Sequence, residues 1–109
     1  MNIKPISVEA FELTQIPNFA DSVRFQLQDI SDGKGRLTVE SFGNAWSAYW
    51  NAMGTRTLRE FLIRADADYI RNNLIGQLNK RTRSNQAYLY QIVEAMKAAL
   101  VELGKKEPQ

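Results

Sequence analysis

The sequence predicts an α+β fold, with an antiparallel sheet of three to four strands in the N-terminal half packed against two to three C-terminal helices. Up to about residue 53, apolar residues alternate with polar ones, which is the period of a half-buried strand. After Gly54 they recur every three to four residues, the period of an amphipathic helix. Because the two patterns do not interleave, a parallel sheet is not expected. An antiparallel sheet tolerates water on one face, so one face would carry the helices and the other would be partly open.

Strands are expected over about residues 7–52, and a hairpin is their clearest feature. Segments 21–30 and 36–42 both alternate, and the residues between them are Ser-Asp-Gly-Lys-Gly. We expect both glycines of this turn, Gly33 and Gly35, to supply the positive φ angles of a tight hairpin. A weaker strand is expected over 8–15, and the Gly-Asn pair that precedes the tryptophans is expected to form a second turn.

Helices are expected over about residues 57–103. Thr57 with Glu60 three residues later fits a capping box, in which each side chain accepts a hydrogen bond from the other residue's backbone amide. The segment 66–68, Asp-Ala-Asp, either continues this first helix or begins a second one. The pattern over 57–78 therefore leaves one or two helices open.

The last helix is expected over about residues 86–103, where apolar residues follow a clear 3.6-residue period. The polar, basic segment 79–85 before it predicts a loop, with Ser84 or Asn85 as the N-cap. Gly104 predicts the end of the helix, followed by a disordered tail over 105–109. Taken together, the elements predict a single domain that spans residues 1–109.

Composition excludes several kinds of chemistry. The chain has no cysteine and no histidine. Disulfides, thiolate zinc sites, cysteine nucleophiles and Ser-His-Asp catalysis are therefore excluded within one chain. We expect no enzyme activity, no cofactor and no metal, although carboxylate or lysine chemistry, or a site completed by another protein, would remain open to an enzyme.

Charge and hydropathy predict the cellular compartment in which the protein acts. The net charge is +2, with four basic and six acidic residues in 1–53, and ten basic and six acidic residues in 54–109. This mild asymmetry permits an acidic partner without requiring one. No apolar segment of a signal peptide follows Lys4, and no segment is long enough to span a bilayer. We therefore expect a cytoplasmic protein that does not contact membranes.

Both tryptophans lie on one predicted strand, four residues apart, with a tyrosine between them. Strand periodicity places Trp46 and Trp50 on one face and Tyr49 on the other. These aromatic residues could form a surface that anchors a protein partner, or the tryptophans could belong to the core while Tyr49 stays outside. For a protein-binding site the candidates are Trp46, Tyr49 and Trp50, with Arg56 and Arg59 at the rim.

Two alternatives place function elsewhere. Lys80, Arg81 and Arg83 could contact the phosphates of a nucleic acid, with Arg64 and Arg71 extending the basic patch. This signal is weak because no aromatic residue for base stacking is interleaved in the basic segment. The second alternative is a homo-oligomeric structural or scaffold protein that pairs through the open sheet face, a free sheet edge or the final helix.

Residues 33–78 carry a run of characteristic motifs. The most specific part is residues 43–54, which contains Trp-Ser-Ala-Tyr-Trp and ends in Met-Gly. It is preceded by Arg-Leu-Thr-Val-Glu-Ser-Phe-Gly and followed by Thr-Leu-Arg-Glu-Phe-Leu. These motifs resemble a group of small phage and prophage proteins. The resemblance implies an accessory protein acting in the cytoplasm of a bacterial host, where it would bind a host or phage protein in counter-defence or host takeover. It implies no catalytic residues.

Overall fold

The chain folds as a four-stranded sheet followed by three helices. The computed structural model describes residues 1–17, 22–41, 43–75 and 83–106, and over 83–85 it describes the backbone alone. The elements are β1 (Glu9–Leu13), β2 (Val23–Ser31), β3 (Lys34–Ser41), β4 (Asn44–Trp50), α1 (Leu58–Arg64), α2 (Ala67–Ile75) and α3 (Arg83–Lys106). All neighbouring strands are antiparallel and their order is β1-β2-β3-β4, so β1 and β4 are the edges. The predicted α+β fold class is confirmed.

The core lies between one face of the sheet and the three helices. Strand register aligns Leu27 with Leu37 and Ala48 across the sheet, and all three side chains are buried. The helices contribute the other half of the core through a shared set of buried apolar residues: Leu58, Leu62, Ile70, Leu74, Leu89, Ile92, Met96 and Leu100. Because α1, α2 and α3 cover only this face, the alternation in the sequence corresponds to a layered structure whose other face is uncovered within the described residues.

The β2–β3 hairpin confirms one glycine prediction and corrects the other. Gly33 has φ 73°, the left-handed conformation that the turn requires. Gly35 lies in β3 and is not among the residues with positive φ. Its importance is steric, because a Cβ there would lie 3.0 Å from Met53 Cε and 3.1 Å from Leu58 Cβ. The absence of a side chain at Gly35 therefore lets the start of α1 approach the sheet.

Helix α1 is held at its N-terminus by the predicted capping box and by a distant carboxylate. Thr57 Oγ1 accepts from the amide of Glu60, and Glu60 Oε1 accepts from the amide of Thr57 at 3.1 Å. The backbone hydrogen bond from Thr57 to the Glu60 carboxylate lowers the pKa of Glu60 below its ordinary value. Asp29, in β2, accepts from the amide of Leu58 at 2.8 Å. Ala65 is extended and ends α1, so residues 57–75 form two helices.

The C-terminus of α1 is capped by an ammonium group from α3. Lys97 Nζ donates to the carbonyl oxygens of Leu62 at 3.0 Å and Ile63 at 2.9 Å, and also to that of Ala65. Carbonyls in the last turn of a helix lack intrahelical partners and form the negative end of its dipole. A half-buried cation at this point therefore joins α1 to α3.

Replacing Lys97 with methionine is expected to lower the free energy of unfolding by about 2 kcal/mol, because hydrogen bonds to a charged group are lost and carbonyls are left unpaired. Denaturant unfolding followed by circular dichroism measures this. Lys105→Met is the control, since exposed Lys105 makes an ion pair of 3.4 Å with Glu102 and should change stability by less than about 0.5 kcal/mol. Equal losses in both variants would contradict a capping role for Lys97.

Helix α3 is longer than the sequence predicts at both ends. It begins at Arg83, so a loop over 83–85 and an N-cap at Ser84 or Asn85 are wrong. It continues through Gly104 to Lys106, so the predicted stop and the start of the tail are wrong as well. One glycine costs a helix only about 1 kcal/mol, and the lysines in the last turn favour the dipole. The rest of the predicted tail, 107–109, lies outside the described residues.

Candidate protein-binding face

The aromatic strand β4 presents its tryptophans to the helices and its tyrosine to the opposite face. Trp50 is 6% exposed and Trp46 is half-buried, whereas Tyr49 is 46% exposed. The structure thus adopts the arrangement in which the tryptophans face inward and Tyr49 outward. The three side chains do not form one surface.

Trp50 belongs to an aromatic cluster beneath the helices. Its ring lies 5.3 Å from that of Phe61 and 6.5 Å from that of Tyr69 between centroids. The indole Nε1 donates to the hydroxyl of Tyr69 at 3.1 Å, so its buried polar atom has a partner. These contacts fasten α1 and α2 to the edge of the sheet, and they leave little of Trp50 for a binding partner.

Trp46 packs at the other end of β4 against α3. Its ring lies 6.0 Å from that of Tyr88, whose hydroxyl is 2.7 Å from Oγ of buried Ser41. This hydrogen bond satisfies a polar side chain inside the core. Trp46 is therefore a packing residue with a partly accessible ring.

The uncovered side of the sheet, which we call the open face, is a polar surface around the aromatic ring of Tyr49. Register places these outward residues in rows across the strands: Glu12, Arg24, Glu40 and Ala45 in one row, Ala10, Gln26, Thr38 and Ser47 in the next, and Gln28, Arg36 and Tyr49 in the third. The guanidinium carbon of Arg36 lies 5.6 Å from the centre of the Tyr49 ring, within the range of a cation–π contact.

One end of the open face contains a shallow polar pocket. Its volume is about 260 Å³, and its lining includes Arg24, Glu40 and Asn44. Glu12 lies 3.5 Å from Arg24, so this end carries an exposed ion pair. Arg24, Arg36 and Glu40 are not among the site residues predicted from the sequence. Their outward positions in the alternating strands were the signal that could have identified them.

The two arginines expected at the rim occupy different environments. Arg56 is exposed in the connection between β4 and α1. Arg59 donates to Glu9 Oε1 through Nε at 3.1 Å and through its terminal nitrogen at 2.7 Å. Because this forked contact ties α1 to β1 on the helix side of the sheet, Arg59 has a structural partner there.

Only some of the basic residues predicted to bind a nucleic acid lie within the residues that the structure describes. Lys80 and Arg81 lie outside the described residues, and Arg83 is placed by its backbone at the start of α3. Arg64 is exposed at the end of α1. Arg71 is engaged within the helical layer, where it pairs with an aspartate, an asparagine and an aromatic ring: Asp68 at 3.4 Å, the side chain of Asn72 at 3.3 Å, and Tyr90 at 5.7 Å from the ring centre.

The helical layer near Arg71 also contains a perturbed tyrosine. A hydrogen bond to the Glu94 carboxylate, together with its negative charge, raises the pKa of Tyr90 above its ordinary value. The Tyr90 ring lies under the guanidinium of Arg71 and packs as part of the α2–α3 contact. Among the described residues, no group of three or more acidic side chains is arranged to hold a metal ion, and no helix is both long and apolar enough to cross a bilayer.

Comparison with known proteins places the chain in a biological group. Residues 1–101, nearly the whole chain, match the model of a phage protein family. This confirms the resemblance to small phage proteins that the motifs over 33–78 indicate, and extends it to both sides of that segment. The chain matches no curated protein and no solved structure.

Proposed function

We propose that this chain, which belongs to the phage family Phage_phiTE_072, is a non-enzymatic accessory protein. It binds a host or phage protein through its open face. One observation supports the proposal above the others. Tyr49 is a large aromatic side chain, 46% exposed, at the outer strand of a sheet face that no helix covers in the described structure. Its place of action would be the cytoplasm of the bacterial host, in counter-defence or host takeover.

The pairing of Tyr49 with Arg36 gives this site its expected strength. Tyrosine and arginine are over-represented among the residues that dominate binding energy at protein interfaces. The contact at 5.6 Å already orients both side chains, so less conformational entropy is lost when a partner covers them. Amide and hydroxyl side chains in the neighbouring row, including Gln26 and Ser47, offer hydrogen bonds around this centre.

The charge of the open face favours a protein partner over a nucleic acid. Its rows contain two arginines and two glutamates, Arg24 and Arg36 against Glu12 and Glu40. A surface that follows a phosphate backbone needs an excess of cations. Mixed charges around an aromatic centre are instead typical of the rim of a protein interface.

A photo-crosslinking experiment tests where the partner binds. A benzoylphenylalanine placed at Ser47, which is exposed on the open face, should yield one dominant protein adduct in phage-infected cells. The same group at Val101, which is 41% exposed on α3, should not yield that adduct. Nuclease treatment before capture should leave the adduct unchanged, whereas its loss would indicate a nucleic-acid bridge and would contradict the proposal.

Calorimetry with the purified partner then measures the contribution of the pair. The double variant Tyr49→Ala/Arg36→Ala should weaken binding at least about tenfold, because it removes the proposed anchor. Val101→Ala is the matched control and should change the Kd less than about twofold. Circular dichroism establishes that each variant remains folded. Unchanged affinity in the folded double variant would remove the open face from the interface.

A further inference from the structure

The two edges of the sheet differ in how well they resist pairing with another chain. Edge strands are usually protected by short length, charged side chains, proline or a bulge. The edge strand β1 has five residues, and two of them, Glu9 and Glu12, are acidic. The edge strand β4 has seven residues, Asn44–Trp50, without a charged residue or a proline. Its pairing with β3 keeps one register from end to end, so β4 is a regular strand without this protection.

The register of β4 identifies the backbone groups that point out of the sheet. In an antiparallel pair, residues that exchange hydrogen bonds with the neighbouring strand alternate with residues whose N–H and C=O point away from it. Ser41 is aligned with Asn44, and the two residues between them are too few for a further pair. Ser41 and Asn44 therefore exchange the first hydrogen bonds of the hairpin. Counting by two from Asn44, the residues of β4 that bond to β3 include Trp46 and Ala48.

The alternate residues Ala45, Ser47 and Tyr49 direct their backbone groups to the free edge. All three residues are exposed, and no other backbone group in the described part of the chain hydrogen-bonds to them. They present three N–H donors and three C=O acceptors. These groups form a row about 13 Å long, because a strand rises about 3.3 Å per residue. An extended chain carries complementary groups at the same spacing, so the edge is chemically suited to an added strand.

Tyr49 connects this edge with the open face. Its side chain contacts Arg36 on the open face, whereas its backbone groups point to the edge. A protein that covers the Tyr49 ring therefore comes within reach of the unpaired groups of the same residue. We propose that the partner bound at the open face adds an extended segment to β4, as a fifth strand of the sheet. The inference rests on the proposed function and specifies the form in which the partner binds.

The side chains beside the edge define the sequence that such a segment needs. Successive side chains of an added strand point to alternate faces of the sheet. On the open face, Ala45 and Ser47 are small and leave room for a large side chain beside the Tyr49 ring. On the helix side, Tyr69 is 46% exposed, and its hydroxyl accepts from Trp50 at 3.1 Å. The segment is therefore about five residues long and uncharged at its centre, with aromatic or β-branched side chains toward both faces.

Amide hydrogen exchange, followed by nuclear magnetic resonance, tests the edge residue by residue. In the free chain, the amides of Ala45, Ser47 and Tyr49 should exchange at least about tenfold faster than those of Trp46 and Ala48. The partner captured by crosslinking at the open face should slow the three outward amides at least about tenfold. Slow exchange of these amides in the dilute free chain would mean that the edge is already covered, and would overturn the proposal. Slowing that follows the concentration of the chain alone would assign the edge to a second copy and would also overturn it.

A proline at position 47 distinguishes the edge from the open face. Ser47→Pro removes one outward N–H without removing a hydrogen bond to β3, and an edge strand tolerates proline at such a position. Ser47→Ala is the control, because it loses the same hydroxyl and keeps the N–H. In calorimetry with the captured partner, Ser47→Pro should bind at least about tenfold more weakly than Ser47→Ala.

The two variants also separate failure of the added strand from failure of the proposed function. If Tyr49→Ala/Arg36→Ala loses affinity but Ser47→Pro binds as well as Ser47→Ala, the open face stands and the added strand is overturned. Unchanged affinity in both would overturn both proposals. Circular dichroism establishes that each variant is folded. Were Ser47→Pro to unfold, the amide exchange of the parent complex would decide alone.

Discussion

Replacing Trp50 with alanine is expected to lower the free energy of unfolding by about 3–5 kcal/mol. Trp50 is 6% exposed, and its ring packs against Phe61 and Tyr69. Alanine would leave a cavity between β4 and the first two helices and would remove the hydrogen bond from Nε1 to Tyr69. Because this cluster connects the sheet edge to α1 and α2, the loss should appear in the global transition. Denaturant unfolding followed by far-ultraviolet circular dichroism measures it.

Trp46 supplies the matched control on the same strand. Its ring is half-buried, and within the described part of the chain it has one aromatic neighbour, Tyr88, at 6.0 Å, so Trp46→Ala should cost only about 1–2 kcal/mol. Iodide quenching of the single-tryptophan variants gives an independent measurement. The indole that remains in Trp46→Phe should be quenched less than the one that remains in Trp50→Phe. A larger stability loss at Trp46 than at Trp50 would contradict the division of roles seen in the structure.

The faces of β4 could be predicted from the sequence, but the face that meets the helices could not. A period of two separates Trp46 and Trp50 from Tyr49 in any register, so the division itself follows from strand geometry. Both faces carry aromatic residues, however, and the period alone does not say whether the tryptophans pack in the core or form part of a binding surface. The decision comes from contacts with Phe61, Tyr69 and Tyr88, which are brought to β4 by the tertiary fold.

Local capping could be predicted, whereas capping by distant residues could not. Thr57 and Glu60 lie three residues apart, and their pattern specifies their own hydrogen bonds. Asp29 contacts the start of α1 at Leu58, which lies 29 positions later in the chain. Lys97 contacts the end of α1 at Leu62, which lies 35 positions earlier. Nothing in the sequence near α1 indicates them. The candidate site shows the same limit, because Arg36 becomes its second member only when β3 is paired with β4.

The ends of the helices are the least accurate part of the prediction from sequence, and the reason is energetic. The cost of Gly104 in a helix is about 1 kcal/mol, and burial of a neighbouring turn outweighs it easily. Leu100 is fully buried and Leu103 packs against the core, so the last turns of α3 are stabilised through the glycine. Propensity alone therefore placed the end of the helix too early.

Replacing Gly33 with alanine is expected to lower the free energy of unfolding by about 3 kcal/mol. The φ angle of 73° costs an alanine about 1–2 kcal/mol. In addition, the new Cβ would lie 2.6 Å from the carbonyl oxygen of Gly54, and displacing packed atoms of this kind adds about 1–3 kcal/mol. The displacement would also disturb the hydrogen bond from the amide of Met53 to the carbonyl of Gly33, 2.9 Å long.

Gly43 separates the two causes of this loss. It has φ 78°, nearly the same as Gly33, but no atom within the described residues lies within 4 Å of a Cβ built there. Gly43→Ala should therefore cost only the backbone strain, about 1–2 kcal/mol. If chemical denaturation shows equal losses at Gly33 and Gly43, the close approach of residue 54 contributes nothing. A clear excess at Gly33 would establish that the β2–β3 turn and the loop after β4 support each other across a contact that only glycine permits.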